Sequence, residues 1–174
     1  DFPMNKVVIR DYLRKRDKEK NWTEMQGYVY GKRMSEAIPY PGMFEALNLF
    51  KNKNIELVII SHKTKYPFEG IQYDLRGSAH QWIFERINNS GSELIEKNNI
   101  FFCSTKEEKI FNILQQSCDI FLDDLPEILL AEKFPERVKR CLFDPWKNHT
   151  NLNSNLLTHY HSWNAFADWV SNAK

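Results

Sequence analysis

Asp119-Ile120-Phe121-Leu122-Asp123-Asp124-Leu125-Pro126-Glu127-Ile128-Leu129 is the stretch whose reading decides the fold. Ile120 to Leu122 form a short apolar run that suits a buried strand. Two adjacent carboxylates follow, Asp123 and Asp124. Pro126 then stands where a helix can begin, because a helix's first turn does not need the missing N–H. Strand, acidic pair and helix in that order describe a site at the carboxyl end of a strand in an open α/β sheet, where such folds bind ligands. Adjacent carboxylates repel unless a cation or hydrogen bonds compensate, and oxygen-only ligands suit Mg²⁺. The competing use of the pair is to cap the helix that follows, since Asp is a good N-cap.

Upstream, the pattern alternates. Met43 to Phe50 has helical spacing and follows Pro41 and Gly42, and Ile55 to Ile60 is a strand rich in β-branched residues that ends at Ser61-His62. Asp74 to Ile87 carries Leu75, Ala79, Trp82, Ile83 and Ile87 at helical spacing, and Asn88 to Gly91 closes it. Ile100 to Cys103 is the next strand. Ser104 or Thr105 caps a helix to about Gln116, with Glu107 or Glu108 completing a capping box. Beyond the acidic pair, Val138 to Phe143 contains a further strand, and Trp163 to Val170 reads as a terminal helix. Strands alternating with helices from 41 to 143 predict a parallel sheet with crossover helices on both faces, a doubly wound α/β fold.

Residues 1–38 differ in character. One helix is predicted over 5–20, capped by Asn5, and a second over 22–34 that Gly27 and Gly31 weaken or allow to pack closely. Pro39, Pro41 and Gly42 then break the pattern. The predicted organisation is a small helical, cap-like segment over 1–38 and an α/β core over 39–174.

Composition narrows the function classes. The chain has 174 residues, 42% hydrophobic and 27% charged, which is enough for one cored domain with a small appendage. A net charge of +1 gives no electrostatic case for nucleic acid or an acidic membrane. The basic run Arg14-Lys15-Arg16 with Lys18 is interrupted by Asp17 and reads as a solvated helix face. No 18-residue apolar run exists, and the first 20 residues are too charged for a signal peptide. Cys103, Cys118 and Cys141 are odd in number and far apart, which predicts reduced thiols in a cytoplasmic protein.

Three predicted strand ends carry polar groups. The first ends Ser61-His62-Lys63-Thr64, the second is followed by Ser104-Thr105-Lys106 with Lys109 one turn on, and the third ends Asp123-Asp124. Hydroxyl and ammonium groups bind phosphoryl oxygens and carboxylates hold Mg²⁺, which are the needs of phosphoryl transfer.

In order and spacing these residues resemble the haloacid dehalogenase superfamily, whose members are mostly Mg²⁺-dependent phosphatases. The family's second motif, an apolar strand ending in Ser or Thr, is matched by Leu57 to Ser61. Its third, a lysine at the start of the next helix, is matched by Lys109, with Lys106 as the rival. Its fourth, an apolar strand ending in an acidic pair, is matched by Asp123-Asp124. Pro39 to Leu47 also resembles the segment that returns to the core after the family's cap. The likeness covers about residues 39–170. It implies that Ser61 hydrogen-bonds a phosphoryl oxygen, that Lys109 neutralises the phosphoryl group and the nucleophile, and that Asp124 coordinates Mg²⁺ with Asp123 in support. His62 and Lys63 are candidates for contacting the substrate's leaving group.

The family's first motif, an apolar strand ending Asp-x-Asp, has no match. Its first Asp attacks phosphorus and the second is the general acid and base. Asp11 follows Val7-Val8-Ile9-Arg10, but Leu13 stands where the second Asp belongs and helical spacing explains the segment better. In the family this strand is central, between the strands matched here by those ending at Ser61 and Asp123. The expectation is therefore a segment of roughly 10–40 residues before Asp1 that carries the strand and the nucleophile.

The function implied is an Mg²⁺-dependent phosphohydrolase acting on a small-molecule phosphomonoester through an aspartyl phosphate. The alternative is a non-catalytic module of the same fold that binds a phosphorylated ligand or a protein partner. A response-regulator-like phosphoacceptor also uses an acidic pair and a lysine, but in the reverse chain order.

Overall fold

The computed structural model describes residues 6–88, 93–152 and 154–172. The predicted Asn5 cap and most of the Asn88–Gly91 closure lie outside them. The chain divides into two compact units, residues 1–37 with 63–86, and residues 38–62 with 87–174.

The first unit is helical. α1 (Lys6–Arg14) stops short of the helix expected over 5–20, and α2 (Glu19–Gly27) starts ahead of the second expected over 22–34, because the chain turns at Asp17, whose φ of 55° ends the first helical path. A bidentate Arg14–Glu19 ion pair spans that turn. α2 runs on into a π-helical turn, Tyr28–Lys32. That turn packs on α4 (Leu75–Trp82), which Asp74 caps by accepting from the Gly77 N–H at 2.8 Å. Gly31 is what permits the approach: a Cβ there would lie 2.3 Å from the Tyr73 Cβ.

The second unit contains every strand among the described residues. β1 (Ile59–His62) pairs with β2 (Ile100–Cys103), and β3 (Ile120–Asp123) pairs with β4 (Lys139–Phe143), which pairs with β5 (Leu157–Tyr160). All three pairings are parallel. The class is therefore mixed α/β with parallel strands. Where the sequence predicts one sheet, the strands form two, of two and three members. The reason is local: among the described residues β1 has no strand partner but β2, and β3 none but β4. β5 was not foreseen, because Leu157-Thr158-His159-Tyr160 lacks a β-branched apolar run.

Both sheets nonetheless feed one core. It contains Ile60 of β1, Cys103 of β2, Phe121 of β3 and Leu142 of β4. Ile113 comes from α5 (Lys106–Gln115), and Ile128 and Leu129 from α6 (Pro126–Leu129). Burying a side chain of this size contributes about 1.5–3 kcal/mol. A second, aromatic cluster sits where α3 (Met43–Asn52) meets α7 (Trp163–Asn172), with Phe50 edge-on to Phe166 at 5.8 Å and Tyr160 edge-on to Phe166 at 5.2 Å.

Candidate functional site

Two residues, Ser104 and Thr105, separate the tip of β2 from α5, which is capped as the sequence predicts. The Thr105 hydroxyl accepts from the Glu108 N–H at 3.1 Å, and the Glu108 carboxylate accepts from the Ser104 N–H at 2.6 Å. Lys109 and Ile113 are four residues apart, so they share one helix face, and both are buried. That face carries the Lys109 ammonium onto the Asp123 carboxylate at the tip of β3. The pair is enclosed: Lys109 is 5% exposed and Asp123 8%. The other Asp123 oxygen accepts from the Leu125 N–H at 3.0 Å. Burial pushes the Asp123 carboxyl up from its ordinary value, Lys109 and the Leu125 amide pull it down, and Asp124 adds repulsion.

This geometry separates the two candidate lysines. Lys106 is exposed and pairs with Glu127 of α6 at 3.6 Å. Lys109 alone of the two reaches the acidic pair. It also separates the two carboxylates. Asp123 is committed through both oxygens, whereas Asp124 is exposed and has no hydrogen bond or ion pair among the described residues. Neither Asp caps α6 by a side-chain bond, since Leu125 occupies the cap position and makes none.

Ser61 is half-buried near the end of β1, in register with Phe102 of β2. His62 is exposed, and its Nε2 lies 3.1 Å from the Ser104 carbonyl oxygen, which ties the β1 tip to the β2 tip. Lys63 belongs to the first unit, where its ammonium lies 4.8 Å from the Tyr30 ring centre. The structure thus joins Lys109 to Asp123 and β1 to β2 through His62.

Asp144 is a carboxylate the sequence reading missed. It is buried just past β4, and its two oxygens accept from the Asn148 and His149 N–H groups, each at 2.8 Å. Its own carbonyl oxygen lies 2.6 Å from His161 Nδ1. The signal was available in Leu142-Phe143-Asp144-Pro145, an apolar run ending in Asp. An open depression of about 660 Å³ lies elsewhere in this unit, lined by residues that include Arg137, Lys139, Asn155 and Trp169 and none of the acidic pair.

Among the described residues no three His, Cys, Asp or Glu side chains converge as a metal-binding group. Mg²⁺ needs fewer, because it is held through one or two carboxylates with water and phosphate oxygens completing its shell. Of the acidic pair, Asp124 is the carboxylate left exposed, while both Asp123 oxygens are already engaged. No family model, curated protein or solved structure matches the chain.

Proposed function

We propose that this chain is the greater part of an Mg²⁺-dependent phosphohydrolase of the haloacid dehalogenase type, acting on a small phosphomonoester. The observation that carries the reading is the buried Lys109–Asp123 pair beside an unpaired Asp124, with a lysine and two carboxylates from consecutive strand–helix units at one place. The split between the β1–β2 and β3–β4–β5 sheets supports it too. In the family's fold one parallel strand lies between those matched by β1 and β3, and we assign that strand, with the nucleophilic Asp, to a segment upstream of residue 1. Residues 1–38 then belong to the family's cap.

In this reading Lys109 balances the Asp123 charge and keeps that carboxylate fixed through the reaction. Asp124 would hold the metal, which would supply positive charge against the phosphoryl group. The Ser61 hydroxyl donates to a phosphoryl oxygen, and His62 stays on the Ser104 carbonyl, fixing the β1 tip. Such fixed donors and charges act on the charge that moves in the transition state. The three free thiols fit a reducing compartment such as the cytoplasm, and no described helix is long and apolar enough to cross a membrane. The test is hydrolysis of an aryl phosphate by the natural full-length protein. Mg²⁺-dependent turnover is expected, falling about 10²-fold in Ser61→Ala. Turnover that ignores both Mg²⁺ and Ser61 overturns the reading.

A further inference from the structure

The helical unit carries a charge feature of its own. Residues 1–37 and 63–86 hold 13 Lys and Arg against 9 Asp and Glu, a net charge of +4, although the whole chain carries +1. Within that unit two ammonium groups lie near one aromatic ring. Lys63 Nζ lies 4.8 Å and Lys6 Nζ 5.8 Å from the centre of the Tyr30 ring. Among the described residues neither lysine has a carboxylate partner. Lys63 is half-buried, and its ammonium is held below the ordinary lysine range by burial and then by repulsion from Lys6.

Three elements build this arrangement. α1 brings Lys6. Tyr30 stands in the π-helical turn Tyr28–Lys32, and such insertions are frequent at functional sites. Lys63 is fixed through its backbone, since its carbonyl oxygen accepts from Arg76 Nε of α4 at 2.9 Å. The Lys65 carbonyl oxygen likewise accepts from the Leu75 N–H at 2.9 Å. A ring face attracts cations, but it does not neutralise two of them. Two mutually repelling ammoniums near one ring, one desolvated and neither paired with a carboxylate, are stabilised by an anion bound beside them, and the donors of an ammonium suit oxyanions.

We propose that Lys6, Lys63 and Tyr30 form an oxyanion seat in the helical unit, which takes a phosphate group. The seat needs neither Asp124 nor a metal, so it stands or falls apart from the hydrolase reading. The test is NMR of the full chain, following the Tyr30 ring and lysine ε-methylene signals. Inorganic phosphate is titrated at constant ionic strength without divalent metal. Saturable shifts at Tyr30 and Lys63 are expected, with affinity falling at least tenfold in Lys6→Met and Lys63→Met. Lys63→Arg, which keeps the charge, retains binding, and so does Lys15→Met, which removes a charge outside the seat. A second titration with phenyl phosphate separates the two sources of the group: tighter binding than inorganic phosphate assigns the seat to a phosphorylated molecule, weaker binding to the free ion. Tyr30 signals that phosphate leaves in place, or wild-type affinity in a folded Lys6→Met variant, overturn the proposal.

Discussion

Lys109 in the first turn of α5 and Asp123 at the end of β3 form an ion pair closed off from water. A helix that follows one strand is thereby pinned to the tip of the next. The pair also orders the acidic couple, because Asp123 is spent on Lys109 and on the Leu125 amide while Asp124 stays open.

Breaking this pair from one side should cost far more than removing it whole. Lys109→Met strands a buried carboxylate, and the expected loss is about 3–5 kcal/mol. Lys109→Met with Asp123→Leu should recover most of that loss, because an apolar pair of similar volume brings no desolvation penalty. Urea titrations of the two variants and the wild type check both values. Equal losses in the single and double variants would mean that the pair's charges are not what matters there.

Gly42 precedes α3 at φ +81°, and a Cβ at that position would lie 2.2 Å from Asn164 Oδ1 of α7. Gly42→Ala should therefore destabilise twice, through a left-handed backbone costing about 1–2 kcal/mol and through the clash. Adding Asn164→Ala should restore only the clash component. Thermal unfolding of the single and double variants separates the two, with roughly 2–4 °C expected per kcal/mol in a chain of this size.

Cys141, buried in β4, has its thiol pushed up to about 12 by burial, from an ordinary value of 9.0. Between those values the unfolded chain has released the proton and the folded chain keeps it. The folded state then binds more protons, so stability falls as pH rises. The contribution is complete below pH 9 and is lost as pH climbs through about 12. Cys141→Val should flatten this alkaline decline, as read by urea unfolding at successive pH values. An identical decline in the variant would remove Cys141 as its source.

Much of the fold could be read in the chain because the cues were local. Thr105 with Glu108, Pro126 after the acidic pair, and Ile100 to Cys103 each fix their element within a few residues. Asp17 misled the reading of α1 because a left-handed turn inside a charged run leaves no break in helical spacing. The α4 helix was foreseen from its apolar spacing, but that spacing does not name a partner, and its packing on the Tyr28–Lys32 turn rests on close approach at Gly31. In the candidate site, the acidic pair was readable from adjacency alone. The choice of Lys109 over Lys106 was not, since both follow the same cap. Which of the two meets the acidic pair follows from which face of α5 is buried, a property of the tertiary fold. Asp144 was missed because its role is met by amides four and five residues along the chain, in a loop that has no periodic pattern.

The most direct test of the central claim is Mg²⁺-dependent hydrolysis of an aryl phosphate by the natural full-length protein and its Asp124→Asn variant, both shown to be folded. Wild-type turnover is expected to disappear when Mg²⁺ is chelated, and the variant's rate to be reduced at least 10²-fold at every Mg²⁺ concentration. A folded Asp124→Asn variant that hydrolyses the ester at the wild-type rate would contradict it.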